Sequence, residues 1–324
     1  MIATYVDIMY MYLVSSHIYE LKWTLERCLS ITSSMCLMFT VFHKKAELTA
    51  VMKKAYMKNS APEKKINALV GCILVSPLIY SLGMLLACAV GKDKRGFLFF
   101  FYRSPVEDNR LKYSILFWKS FLYHFLYPTY SNLVILVFCT ICHRMSLTIK
   151  NLSIEVERCP PKAFTTIAQI RCLKCETEIY KTLEELQTNF SIAIFIACAG
   201  NFLYCFSLLS QVMMFSFRQN ASTYQADSVV FSITVVVPLI VMFWIPEWIP
   251  EEMENLNRII RFKYEMRASS GLVSRNSTVE KWLLEGKIIL SGCNMIFLRK
   301  SSILSVLGTA LIYGLLLMSL ELRK

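Results

Sequence analysis

The chain has 324 residues, of which 55% are hydrophobic and 18% are charged, and its formal net charge is +12. An average soluble domain carries roughly 25% charged residues. The composition therefore argues against an ordinary soluble domain and favours a protein that lies in a lipid bilayer.

The positive charge does not indicate a nucleic-acid partner. Lysines and arginines lie between the apolar runs of the chain, where positive charge sets the orientation of a membrane protein. We therefore expect the bilayer, and no nucleic acid, as a partner.

Uncharged runs long enough to cross a bilayer recur along the chain. A helix needs about 20 residues to cross roughly 30 Å of hydrocarbon. Five such runs occupy residues 67–91, 120–142, 186–217, 228–246 and 301–320. A sixth candidate at 28–42 spans only if it extends back toward Trp23. The predicted fold class is all-α, a polytopic transmembrane helical bundle with six clear spans and cytoplasmic helical extensions.

The first 22 residues form a separate segment in this prediction. Residues 9–19 are apolar, but the stretch is short and is bracketed by Asp7 and Glu20. It is either an interfacial helix or the remnant of a span. No basic region and no small-residue cleavage site mark the start, so no secretory signal peptide is expected.

Loop charges predict the orientation, because Lys and Arg accumulate in cytoplasmic loops. Residues 43–66, 143–185 and 250–296 carry seven basic residues each, or 21 in all, whereas 91–112 and 218–227 carry six and one, or 7. The three long loops are therefore expected in the cytoplasm. A multi-pass plasma-membrane protein with an extracellular carboxyl terminus follows, and Asn220 is a glycosylation sequon in an outer loop.

Helical spacing continues into the predicted cytoplasmic parts. Apolar residues at helical intervals predict a helix over 164–190 that runs on into the next span, after Pro160 and Pro161 end the preceding element. Further helices are predicted over 247–266 and 279–295. The acidic residues of this region are expected on solvated faces: Glu155, Glu157, Glu176, Glu178, Glu184 and Glu185.

No arrangement of residues indicates an enzyme, a metal site or a cofactor. The pair Cys172 and Cys175 lacks the further ligands that a zinc site needs. His124 lies inside an apolar run, where a polar residue is often functional, but a hydrogen bond between helices explains it equally well.

A small-molecule pocket in the outer half of the bundle is the functional alternative to simple helix packing. Aromatic and polar side chains that fall in this half are Tyr80, Trp118, Tyr123, His124, Tyr127, Tyr204 and Gln211.

The last span resembles that of a known family. Ile312 and Tyr313 precede five apolar residues, 314–318, and then Ser319 and Leu320. This is similar to the Thr-Tyr, five apolar residues and Gln-Phe of the arthropod gustatory and odorant receptor superfamily, and with the topology the resemblance covers about 23–324. The chain looks like a divergent gustatory-receptor-like member without a full first span, since the family has seven spans.

The resemblance implies a ligand-gated, non-selective cation channel that opens for a small-molecule tastant or odorant. It implies a tetramer, either of this chain or with related subunits, in which the last helix lines the pore. Ser319 takes the position of the family's pore glutamine. The residues implied to face the pore are Ile312, Leu315, Leu316 and Ser319.

These inferences divide the chain into three parts. Residues 1–22 are the amino-terminal segment, 23–249 the ligand-binding bundle with loops 43–66 and 143–187, and 250–324 a cytoplasmic helix plus the pore span. Two other classes stay open. A G-protein-coupled chemoreceptor requires a cytoplasmic carboxyl terminus, and a small-molecule transporter is expected to show internal repeats.

Overall fold

The computed structural model of the protein describes residues 2–14, 18–57, 64–90, 108–215, 222–271, 290–293, 295–305, 308–309 and 311–312. Nearly all of them are helical, which confirms the all-α prediction. The helices are α1 Ile2–Val14, α2 Ile18–His43, α3 Lys45–Met57, α4 Lys64–Val90, α5 Asn109–His124, α6 Tyr130–Arg158, α7 Thr166–Phe215, α8 Ser222–Trp244 and α9 Trp248–Ser269.

A short hairpin and a last helical stretch complete the described residues. The strands β1 Ser291–Gly292 and β2 Ile296–Phe297 pair antiparallel. Helical residues follow at 300–305, 308–309 and 311–312, and we call them the terminal helix.

Four stretches of the described chain are long and apolar enough to cross a membrane. They are Ile66–Ala89, Asn109–Arg158, Thr166–Cys205 and Ser232–Ser269. They overlap four of the runs taken from the sequence, which confirms a multi-pass helical protein. The predicted span at 23–42 lies within α2, which is not among the four, and most of 301–320 lies outside the described residues. The count of six spans therefore stays a prediction.

The amino-terminal segment is a helix packed on the bundle. With 13 residues, α1 is about 20 Å long, which is too short to cross a bilayer. It packs against α2, and Asp7 forms a 2.7 Å ion pair with Lys119 of α5. Both interpretations of this segment, interfacial helix and remnant of a span, fit its length.

The longest helix continues from charged into apolar sequence without a break. As predicted, α7 joins the 164–190 pattern to the next apolar run in one helix of 50 residues, about 75 Å long. The Cys159-Pro160-Pro161 sequence ends α6 at Arg158, because proline cannot continue a helix. The predicted helix over 247–266 is also confirmed, as α9.

The predicted helix over 279–295 is wrong at its end. Residues 272–289 and 294 lie outside the described chain, but 290–293 and 295–298 form the hairpin, closed by a hydrogen bond from Leu298 N–H to the Leu290 carbonyl. Cys293 has a φ of 52°, in the left-handed region. That conformation reverses the chain between the strands and is incompatible with a continuous helix.

The core lies where α7 meets its neighbours. Helix α2 packs along α7, α6 packs on α7 and α9, and α4 packs on α5 and α8. Leu37, Ile141 and Ile194 are among the buried side chains at these contacts. The elements that hold the predicted pocket residues therefore converge on one bundle.

Candidate functional site

The junction of α5 and α6 directs aromatic side chains into the bundle. Residues 125–129 form one wide helical turn, in which Tyr127 has extended backbone angles of φ −146° and ψ 129°. Pro128 follows, and proline has no N–H for the helix ladder. At this break Tyr123, His124 and Tyr127 are each 2% exposed or less.

A buried cation lies beside this break. Arg27 of α2 is 4% exposed, and its guanidinium carbon lies 4.1 Å from the ring centroid of Tyr123. Its Nη2 makes a long, 3.5 Å hydrogen bond to the Tyr80 hydroxyl, and His124 stacks on Tyr80 with the ring centroids 4.5 Å apart. We call these four residues the arginine cluster. The aromatic face stabilises the cation at a depth where charge is otherwise costly.

A second polar group lies where the same break meets α7. The side chain of Asn201 is fully buried, and its Oδ1 accepts a 3.1 Å hydrogen bond from the Tyr127 hydroxyl. The Tyr127 ring lies 5.5 Å from that of Tyr204. The Asn201 Nδ2 has no hydrogen-bond partner within the described part of the chain. A buried amide donor of this kind can be satisfied by an acceptor on a small molecule.

The structure brings together most of the predicted pocket residues. Tyr80, Tyr123 and His124 belong to the arginine cluster, and Tyr204 contacts Tyr127 at the same break. Trp118 differs, since it is 56% exposed and packs edge-on against its neighbours on α5. The Gln211 side chain lies outside the described residues, so its place in the pocket stays a prediction.

The hairpin before the terminal helix docks on α7. The Gln187 Nε2 donates to the Ser291 carbonyl at 2.6 Å, and the Gln187 Oε1 accepts from the Ser291 N–H at 3.0 Å. The Ser191 hydroxyl accepts from the Cys293 N–H at 2.6 Å. A Cβ at Gly292 would lie 3.3 Å from the Phe195 Cα, so a glycine permits this close approach.

A second contact holds the start of the terminal helix. Lys300, its first residue, donates its backbone N–H to the Glu247 carboxylate and its ammonium to Glu251 at 2.5 Å. The same ammonium lies 5.2 Å from the Trp244 ring centroid. Trp244 ends α8, Glu247 precedes α9 and Glu251 lies in its first turn. We call these four residues the junction clasp.

The pore residues implied by the resemblance lie largely beyond the described chain. Ile312 is described, in the terminal helix, and is 65% exposed. Tyr313, Leu315, Leu316 and Ser319 lie outside the described residues, as does the sequon residue Asn220. Their roles therefore stay predictions.

Sequence reasoning missed the groups that connect helices. Arg27, Gln187, Glu247 and Lys300 were not among the candidate site residues. Glu247 directly follows Pro246 at the end of an uncharged run, which was the available signal. The solvated face expected for Glu176 is wrong, because its side chain is 3% exposed.

Comparison with known proteins shows what fold these sites belong to. No protein-family model matches the chain, and no curated protein sequence matches it. Among solved structures, it is similar to the insect olfactory receptor OR5 from Machilis hrabei, with a TM-score of 0.69, 13% identity, and coverage of 98% of this chain and 86% of that chain. It is also similar to the same receptor in complex with eugenol, with a TM-score of 0.61, 15% identity, and coverage of 97% and 88%.

The fold of this chain is similar to that of an insect olfactory receptor. The likeness extends over nearly the whole chain, so the helical-bundle fold that the resemblance implies is confirmed.

Proposed function

We propose that the protein is a chemosensory receptor of the gustatory and odorant receptor superfamily that acts as a ligand-gated, non-selective cation channel. The observation that carries this proposal is the likeness to an insect olfactory receptor over 98% of the chain. One of the similar structures holds eugenol, which supports a small organic tastant or odorant as the ligand here. Neither similar structure is an enzyme, in keeping with a receptor.

We place the ligand beside the arginine cluster and Asn201. Aromatic walls with few polar groups are typical of small-molecule sites. Tyr80, Tyr204 and His124 supply rings, and the Asn201 Nδ2 supplies a buried donor without a partner in the described chain. A ligand that bound the open state more tightly would shift the channel toward conduction.

The pore proposal follows from the resemblance of the last span. Four copies of the terminal helix would surround the pore, in a homomer or with related subunits. Ile312, Leu315 and Leu316 would form apolar rings that close by dewetting. Ser319 would line the pore at the position of the family's glutamine, and the loop charges orient the helix with its end outside the cell.

Electrical recording tests the channel proposal. The full chain is expressed in a cell line, alone and with related receptor subunits, and exposed to eugenol, sucrose and caffeine while G-protein signalling is blocked with GDP-β-S. We expect a cation current that persists under the block. Protein present at the surface but without spontaneous or evoked current would overturn the proposal. A response lost under the block would favour a G-protein-coupled receptor instead.

A tag and a substitution test orientation and pore separately. An epitope tag after Lys324 is expected to stain on unpermeabilised cells, and staining only after permeabilisation would contradict the outward orientation. Ser319→Arg is expected to reduce or abolish cation current at equal surface expression, because a ring of positive charge repels cations. Unchanged permeation would contradict the pore assignment.

A further inference from the structure

The junction clasp ties two points of the fold that the channel proposal treats separately. One is the break between α8 and α9, where residues 245–247 form a turn between two helices. The other is the first residue of the terminal helix, Lys300. The backbone N–H of Lys300 bonds to Glu247, and its ammonium bonds to Glu251. Two separate contacts therefore hold the start of the terminal helix to the α8–α9 junction.

The contact to the Lys300 N–H has a particular structural effect. The first N–H groups of a helix have no partner inside the helix, and a carboxylate at this end is stabilising. The cap usually comes from the residue before the helix. Here Glu247, which lies 53 positions earlier, supplies it. Any movement of the α8–α9 junction therefore changes the cap of the terminal helix.

The junction is itself attached to the bundle. Helix α8 packs against α4, α6 and α7. Of these, α4 carries Tyr80, and α7 carries Asn201 and Tyr204. Helix α9 packs mainly on α6. A shift of α8 relative to α9 would be absorbed at the turn between them, where the hinge of a two-part helix usually lies.

We propose that Glu247, Glu251 and Lys300 are positioning residues that couple the ligand-binding bundle to the terminal helix, an inference that rests on the proposed channel function. A conformational change of the bundle that moves the α8–α9 junction changes the contacts with Lys300. It therefore changes the angle between the terminal helix and the junction. Trp244 covers the ammonium from the α8 side and links the same residue to the last turn of that helix.

Charge reversal tests the coupling. Glu251→Lys and Lys300→Glu are made singly and together in the full chain, and spontaneous current and half-maximal concentration are measured with whichever of eugenol, sucrose or caffeine evokes the largest wild-type current. We expect each single variant to shift the half-maximal concentration about threefold, and the double variant to return to within about twofold of wild type, because the ion pair is restored.

The cap is tested by graded removal. Glu247→Ala removes the acceptor of the Lys300 N–H, whereas Glu247→Gln keeps a neutral one. We expect the shift to be larger for alanine than for glutamine. Glu265→Lys is the matched control, since this exposed acid lies on α9 about 21 Å further along the helix than Glu251.

The outcomes separate this inference from the function on which it rests. A wild-type chain at the surface without current overturns the channel proposal, and the coupling with it. Wild-type current with unshifted variants, or with single shifts that simply add in the double variant, overturns the coupling alone. The melting temperatures can show the ion pair while the half-maximal concentration and the spontaneous current stay unchanged. The contact is then purely structural, which also overturns the coupling.

Discussion

The ammonium of Lys263 on α9 lies 2.6 Å from the carbonyl oxygen of Cys159, the residue that caps the carboxyl end of α6. It also donates to the Glu157 carbonyl at 2.8 Å, and the side chain is 8% exposed. The last carbonyls of a helix lack partners inside it, and a cation there is stabilising. Lys263 therefore caps α6 from a neighbouring helix.

Lys263→Met is expected to destabilise the protein by about 2 kcal/mol, because it leaves two partly buried carbonyl groups at the end of α6 without their charged donor. The melting temperature of the purified protein, followed by size-exclusion chromatography after heating, should fall by about 4–8 °C. Arg261→Met is the control, since Arg261 is an exposed cation on the same helix. Equal melting temperatures for the two variants would contradict the capping role.

Gly200 permits the close contact of α7 with α2. A Cβ at this position would lie 3.1 Å from the Ser33 Cβ and would overlap the Ser33 hydroxyl. Gly200→Ala is therefore expected to cost about 1–3 kcal/mol through overpacking. The double variant with Ser33→Ala should recover part of this loss, because it removes the hydroxyl.

Gly83→Ala is the control for that measurement. Within the described residues, no atom beyond its own stretch of helix backbone lies within 4 Å of a Cβ built at Gly83, and alanine is the better helix former. Its melting temperature should equal or exceed that of the wild type. A Gly200→Ala variant as stable as Gly83→Ala would show that the two helices have room to separate.

The sequence predicted the helices wherever one strong periodic signal extended over many residues. The 50-residue α7 follows from apolar spacing without a breaker, and the end of α6 follows from Pro160 and Pro161. The hairpin at 290–298 was missed because its strands have two residues each. Such short strands show no period, and their stability comes from contacts with α7 that the local sequence does not contain.

The pocket was predicted only in part, because some of its contacts are likewise not contained in the local sequence. Aromatic residues inside apolar runs marked Tyr80, Tyr123 and His124, which the structure brings together. Which face of a helix turns inward depends on its neighbours. The sequence therefore did not show that Trp118 is exposed or that Arg27 is buried. A charged residue near the end of an apolar run gives the same sequence pattern whether its side chain reaches water or packs on an aromatic ring.

The hydrogen bond between Tyr127 and Asn201 can be tested through the group that it satisfies. Tyr127→Phe leaves the buried Asn201 amide without its donor, at a cost of about 1–3 kcal/mol. Adding Asn201→Leu removes the polar group, so the double variant should melt at a higher temperature than Tyr127→Phe alone. A double variant that is less stable than both single variants would show that Asn201 is held by other contacts.

Glu176 is a buried acid in the charged half of α7. Its side chain is 3% exposed, and its Oε2 has no hydrogen-bond partner within the described residues. This carboxylate oxygen has lost its hydration without a compensating hydrogen bond, which is destabilising. Glu176→Gln is therefore expected to stabilise the protein by about 1–2 kcal/mol and to raise the melting temperature by about 2–6 °C.

Glu184 supplies the matched control for this prediction, because it is an exposed acid eight positions further along the same helix. Glu184→Gln should leave the melting temperature within about 1 °C of wild type, as surface substitutions commonly do. A Glu176→Gln variant that melts at or below the wild-type temperature would contradict the prediction. It would mean that a charge or a hydrogen-bond donor outside the described residues stabilises the buried carboxylate.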